Sequence, residues 1–175
     1  MESSYVSSGP ERSALKGYIF TVLVLLICVA AQAVWPPWLR LRGQPPDLTL
    51  AAVLSIGLTT GAMSGLFSGF LGAYLWASVA GVAMGNLFIS HMGLGFLSGA
   101  MRGKMFSDRL SLAVILVAAG VVVASVINLL LAPPPSPQSW VIAVLAKAIY
   151  SGIMTIPLYG LMRVLARHYP DPQDL

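Results

Sequence analysis

The sequence predicts an all-α integral membrane protein of six transmembrane helices with both termini in the cytoplasm. Three observations predict it. Of 175 residues, 57% are hydrophobic and only 9% are charged, against roughly 25% charged in a soluble domain. No Asp, Glu, Lys or Arg stands between Asp47 and Arg102, and an uncharged apolar run of about 18 residues already reads as a membrane span. The basic residues collect at the ends of apolar runs, which is an orientation signal and not a basic stripe for nucleic acid. No nucleic-acid partner is expected.

The helices are expected at about 17–36, 47–60, 62–81, 84–101, 110–132 and 140–163. They form a membrane domain 17–165 between a cytoplasmic N-terminal tail, 1–16, and a cytoplasmic C-terminal tail, 166–175. Arg12 and Lys16 followed by an apolar run imitate a secretory signal peptide. The run continues through Val34 and Trp35, so a retained first helix is expected, ended by Pro36-Pro37. In "RGQPPDLTL", Pro45-Pro46 keeps the backbone extended and Asp47 can N-cap the second helix. As one helix, 48–101 would be about 80 Å long, and the hydrocarbon core is about 30 Å thick. Two or three crossings fit. Thr59-Thr60-Gly61 and "AGVAMGN" read as turns, which favours three. Pro157 should kink the last helix. With six spans, Arg12, Lys16, Arg102, Lys104, Arg109, Arg163 and Arg167 lie inside and Arg40 and Arg42 outside, as the positive-inside rule requires. Five spans with the N-terminus outside satisfy that rule equally. The tryptophans favour six, because Trp35, Trp38, Trp76 and Trp140 then all fall near the outer interface.

Small residues recur every fourth place at Gly57, Gly61, Gly65, Gly69, Ala73, Ala77, Gly81 and Gly85. Glycine weakens a helix, so the spacing needs a reason. Each step advances about 40° beyond a full turn. The whole series cannot share one face, and its ends belong to neighbouring elements. Ser64, Ser68 and Gly72 form a second ridge beside it. Small residues let helix backbones approach in lipid, where no hydrophobic drive joins apolar helices. The ridge serves packing within the bundle, docking of another protein's transmembrane helix, or a groove for a lipid or small ligand.

The pattern resembles the MreD family, small membrane components of the bacterial rod-shape machinery. "PPDLTLAAVL" is similar to the family's Pro-Asp-Leu start of an apolar helix, here Pro46, Asp47 and Leu48. "GAMSGLFSGFLGAYL" is similar to its Gly-rich helix, and "HMGLGFLSGAMRGKMF" to its Gly-Leu helix running into a basic loop. "IPLYGLMRVLARH" is similar to its Pro-containing C-terminal helix. One place departs: many relatives carry an acid after the Gly-Phe-Leu run, and none stands near Ala77 here. The resemblance implies a non-enzymatic scaffold of the inner membrane in cell-wall elongation. Its implied partner is MreC, with one transmembrane helix. Through MreC it implies association with a class B penicillin-binding protein, RodA and MreB. MreD-like proteins are also similar in architecture to the substrate-binding components of energy-coupling-factor vitamin importers, which supplies the alternative function.

No catalytic constellation stands out. His91 and His168 have no spaced partner, and no phosphate-binding loop occurs. No enzyme, metal or cofactor is expected. Lys147 is the clear intramembrane charge, about 10 Å inside the sixth helix. Snorkelling to the outer surface is the ordinary outcome for such a lysine. Pairing with Asp47, or contact with a ligand or partner, are the alternatives. Gln32, Asn86, His91 and Asn128 are uncharged polar residues in apolar runs, expected to hydrogen-bond between helices. In the importer alternative, Asn86, His91, Asn128, Lys147 and Tyr150 would line a cavity instead. The basic loop residues Arg102, Lys104 and Arg109 suit anionic lipid head groups; contact with cytoplasmic filament proteins is the other reading.

Overall fold

The computed structural model describes residues 10–82, 84–102, 110–131 and 137–168. Six α-helices run in chain order: α1 Pro10–Ala33, α2 Leu48–Thr60, α3 Ala62–Ala80, α4 Met84–Ala100, α5 Leu110–Leu131 and α6 Pro137–His168. Among the described residues there is no strand, only one isolated bridge between Leu41 and Gln44. α3, α5 and the segment Ser139–Val164 of α6 are long and apolar enough to cross a membrane. The first and last helices overrun the expected membrane domain: α1 begins at Pro10 rather than 17, and α6 continues to His168. The 48–101 stretch is three helices, turned at Gly61 (φ 109°) and at the left-handed Gly81 (φ 63°). Only glycine takes such backbone angles without strain.

The shortest helix occupies the centre. α2 has 13 residues, about 20 Å of rise. Every residue from Leu48 to Leu58 is buried, and α2 packs against all five other helices. A helix apolar on every side must be enclosed in this way. The hydroxyls of its later turns bond to its own carbonyls: Ser55 donates to Ala51 at 2.7 Å and Thr60 to Ile56 at 2.6 Å. They therefore add no unpaired polar group to the core. Val24, Leu25 and Cys28 of α1 and Met162 of α6 pack with α2 in one apolar cluster. Val117 and Val121 of α5 pack with Leu50 and Leu54 in another. Gly120 of α5 leaves room for the Leu54 side chain, which an added Cβ would meet at 2.7 Å.

The glycine repeat is filled from within the chain. α3 and α4 run antiparallel, and their small residues meet rung by rung. A Cβ added at Gly65 would collide with the carbonyl oxygen of Gly95, and one at Gly95 with that of Gly65. Gly69 lies against the His91 backbone and Gly99 against Gly61. Ala73, Ala77 and Leu87 continue the contact. Gly57 belongs to α2, and its Cα would lie 3.0 Å from a Cβ on Gly65. Three backbones thus converge on glycine. Gly72, in the second ridge, faces Thr49 and Val53 of α2. Gly81 and Gly85 have open space around them, which matches the drift of the series off one face. Of the three readings of Gly57, Gly61, Gly65, Gly69, Ala73 and Ala77, packing within the bundle is the one seen here: α4 and α2 occupy that side. The matching small residues Gly95, Ser98 and Gly99 on α4 complete it.

The contrast between filled and open positions yields a stability series. Gly65→Ala and Gly99→Ala should each destabilise by about 1–3 kcal/mol through overpacking. Gly93→Ala, where an added Cβ meets nothing within 4 Å, should be neutral or gain up to about 1 kcal/mol from helix propensity. Thermal unfolding of the purified variants in detergent measures the difference; equal losses at all three sites would refute backbone contact as the reason for the repeat.

Candidate functional site

The start of α2 lies part-way along the bundle. Thr49 and Val53 lie against Gly72 of α3, and α3 continues from there to Ala80, about 12 Å further. The first turn of any helix has N–H groups without intrahelical partners, and here they are buried. Each partner comes from a different element. Asp47 Oδ1 accepts from the Leu50 N–H at 3.1 Å, closing the N-cap. Gln32, at the end of α1, accepts from the Thr49 N–H at 2.9 Å and from the Thr49 hydroxyl at 3.0 Å. The Ser151 hydroxyl of α6 accepts from the Asp47 N–H at 2.7 Å and donates to the Lys147 carbonyl at 2.7 Å.

The cap carboxylate is itself buried, 6% exposed. An unpaired carboxylate there would be costly. Lys147 supplies the counter-charge, with Nζ 2.7 Å from Asp47 Oδ2. The lysine does not simply snorkel; it turns to the cap, and its side chain remains 29% exposed. The α2 dipole also favours a negative charge at this end. His91 of α4, 2% exposed, lies with its backbone against Gly69 of α3, one turn from the Gly72 that Thr49 meets.

The strap joining α1 to α2 leads into the site. It holds a 3₁₀ turn at Pro37–Leu39 and a tight reversal at Arg42 (φ 53°) and Gly43 (φ 78°), where Leu41 and Gln44 exchange backbone hydrogen bonds of 3.1 and 3.0 Å. Trp35 packs edge-on against Tyr150 of α6, with ring centroids 5.9 Å apart. Tyr150 therefore pairs with the strap.

The expected interhelical polar bonds are only partly present. Gln32 makes them. His91 instead contacts its own neighbour, Ser90, and Asn86 and Asn128 are half-buried without side-chain hydrogen bonds. Arg102 closes α4 beside Gly61; Lys104 and Arg109 lie outside the described residues. Thr49 and Ser151 carry the site without having stood out in the sequence. A hydroxyl inside an apolar run signals only that it bonds somewhere, usually within its own helix. Among the described residues no group of three His, Cys, Asp or Glu side chains gathers to hold a metal.

Fold and site define a class: an all-helical bundle, three of its helices long and apolar enough to span a membrane, organised around one buried, ion-paired helix start. No protein-family model, curated protein or solved structure matches the chain.

A double-mutant cycle tests the pair. Asn retains the cap acceptor, so Asp47→Asn removes the charge and leaves the cap. Breaking a buried pair from one side costs about 3–5 kcal/mol, and the partial exposure of Lys147 places each single loss at the low end. Asp47→Asn with Lys147→Met should recover more than 1 kcal/mol of the summed losses, read as melting temperature and purified yield. Additive losses would show the contact to be energetically idle.

Proposed function

We propose that the chain is a multi-pass protein of the bacterial inner membrane that acts as a non-enzymatic scaffold similar to MreD in cell-wall elongation. The observation that carries this reading is how the residues of the resemblance are used. Pro46-Asp47-Leu48, the Gly-rich stretch and the Gly-Leu stretch begin or form α2, α3 and α4. Their small and polar groups are spent on holding those helices together. A chain that invests its special residues in shape offers partners a surface, not a reaction. Six crossings with both termini cytoplasmic fit this reading. α2 rises about 20 Å of a core about 30 Å thick, and the strap 34–47 completes its passage.

The glycine ridge is occupied from within, so the single membrane helix of an MreC-like partner approaches from the lipid-facing side of the bundle. The penicillin-binding protein, RodA and MreB join indirectly, through that partner. The vitamin-importer reading finds fewer of its residues free: Lys147 is paired with Asp47 and Tyr150 packs on Trp35.

Purification of the full chain in mild detergent from its native membrane tests the proposal, with retained proteins identified by mass. Retention of a single-span protein with an outer coiled coil is expected. Retention of an ATPase module in its place would overturn the scaffold reading.

A further inference from the structure

Among the described residues, His91 Nε2 is the one buried side-chain nitrogen or oxygen without a hydrogen-bond partner. Its chemical state follows from its neighbour. The Ser90 hydroxyl has one proton, which points at the carbonyls of Asn86 (2.9 Å) and Leu87 (3.2 Å). Assigning that proton to the carbonyls of its own helix, the usual bond of a helical serine, leaves the serine oxygen to accept from His91 Nδ1 at 3.2 Å. Nδ1 carries the ring proton, and Nε2 presents a lone pair. A buried acceptor of this kind calls for a donor.

The ion pair nearby has capacity to spare. The Lys147 ammonium carries three N–H donors, and one is directed at Asp47 Oδ2. The carboxylate has about four acceptor positions, and it meets the Leu50 N–H and the Lys147 ammonium. His91 and the start of α2 sit at neighbouring levels of the bundle: the His91 backbone lies against Gly69 of α3, and Thr49 against Gly72 one turn further along.

We infer that the start of α2 holds a hydration site, in which water, as one molecule or a short chain, donates to His91 Nε2 and is held in turn by the Asp47–Lys147 pair. The ligand class follows from the donor set. Nε2 needs a donor, the carboxylate takes another donor, and the ammonium needs an acceptor; water is both. A metal cation would meet the lysine charge and find only one imidazole and one carboxylate. A small anion would offer Nε2 no proton and would face Asp47. Buried waters commonly make about three hydrogen bonds, which these three groups can supply. This site stands whether or not the chain is a scaffold.

The test is solid-state NMR of the full chain in lipid nanodiscs, with ¹⁵N-labelled histidine and lysine. The protein has two histidines, so His168→Gln leaves His91 as the one labelled ring; His168→Asn does the same if the first variant does not fold. A neutral ring protonated at Nδ1 is expected, with Nε2 moved upfield of the free pyridine-type position and a water-proton cross-peak at both Nε2 and Lys147 Nζ. An Nε2 at the free position without a water cross-peak would overturn the inference. So would an imidazolium, or water contact at Lys147 alone.

Discussion

A helix that begins inside a packed apolar bundle creates an electrostatic debt at its first turn, and the rest of this structure is arranged around that turn. The N–H groups at the start of α2 cannot reach bulk water. A carboxylate is the strongest small acceptor for them, but a buried carboxylate requires a cation. Asp47 answers the first need and Lys147 the second. Ser151 and Gln32 take the N–H groups that remain. Three elements distant in sequence are thereby tied to one point, and the register of α1 and α6 against α2 follows from it.

The opposite end of α2 is held by absence of side chain. At the Gly57–Gly65–Gly95 crossing the backbones come so close that a single methyl group would collide. Dispersion between close backbones then replaces the hydrophobic drive that lipid cannot supply. The two ends divide the work. Polar groups specify where α2 starts, and glycines specify how closely α3 and α4 approach it.

The legible and illegible parts separate along a physical line. Helix existence, the turns at Gly61 and Gly81 and the Asp47 cap were readable, because hydrophobic runs, glycine backbone freedom and capping act within a few residues. The Asp47–Lys147 pair was readable only as one of three outcomes for Lys147. Its partner lies a hundred residues away, and snorkelling offered an equally local solution. Ser151 and Thr49 were silent for the same reason. Each hydroxyl resembles any other in an apolar run until a distant N–H arrives beside it. For Asn86 and Asn128, apolar surroundings pointed to interhelical bonds, yet each lies on a half-buried face where no partner comes within reach.

By itself the amino-acid order determined an all-helical chain, the limits of its four middle helices, and the presence of a four-residue ridge of small side chains. Those properties depend on local conformational preference and on periodicity. Only the tertiary structure decided that α2 is the enclosed centre, that the ridge is filled by the chain's own α4, and that one lysine neutralises one buried cap. Those outcomes depend on which surfaces meet, and surfaces separated in sequence acquire their chemistry from each other only after the chain has packed.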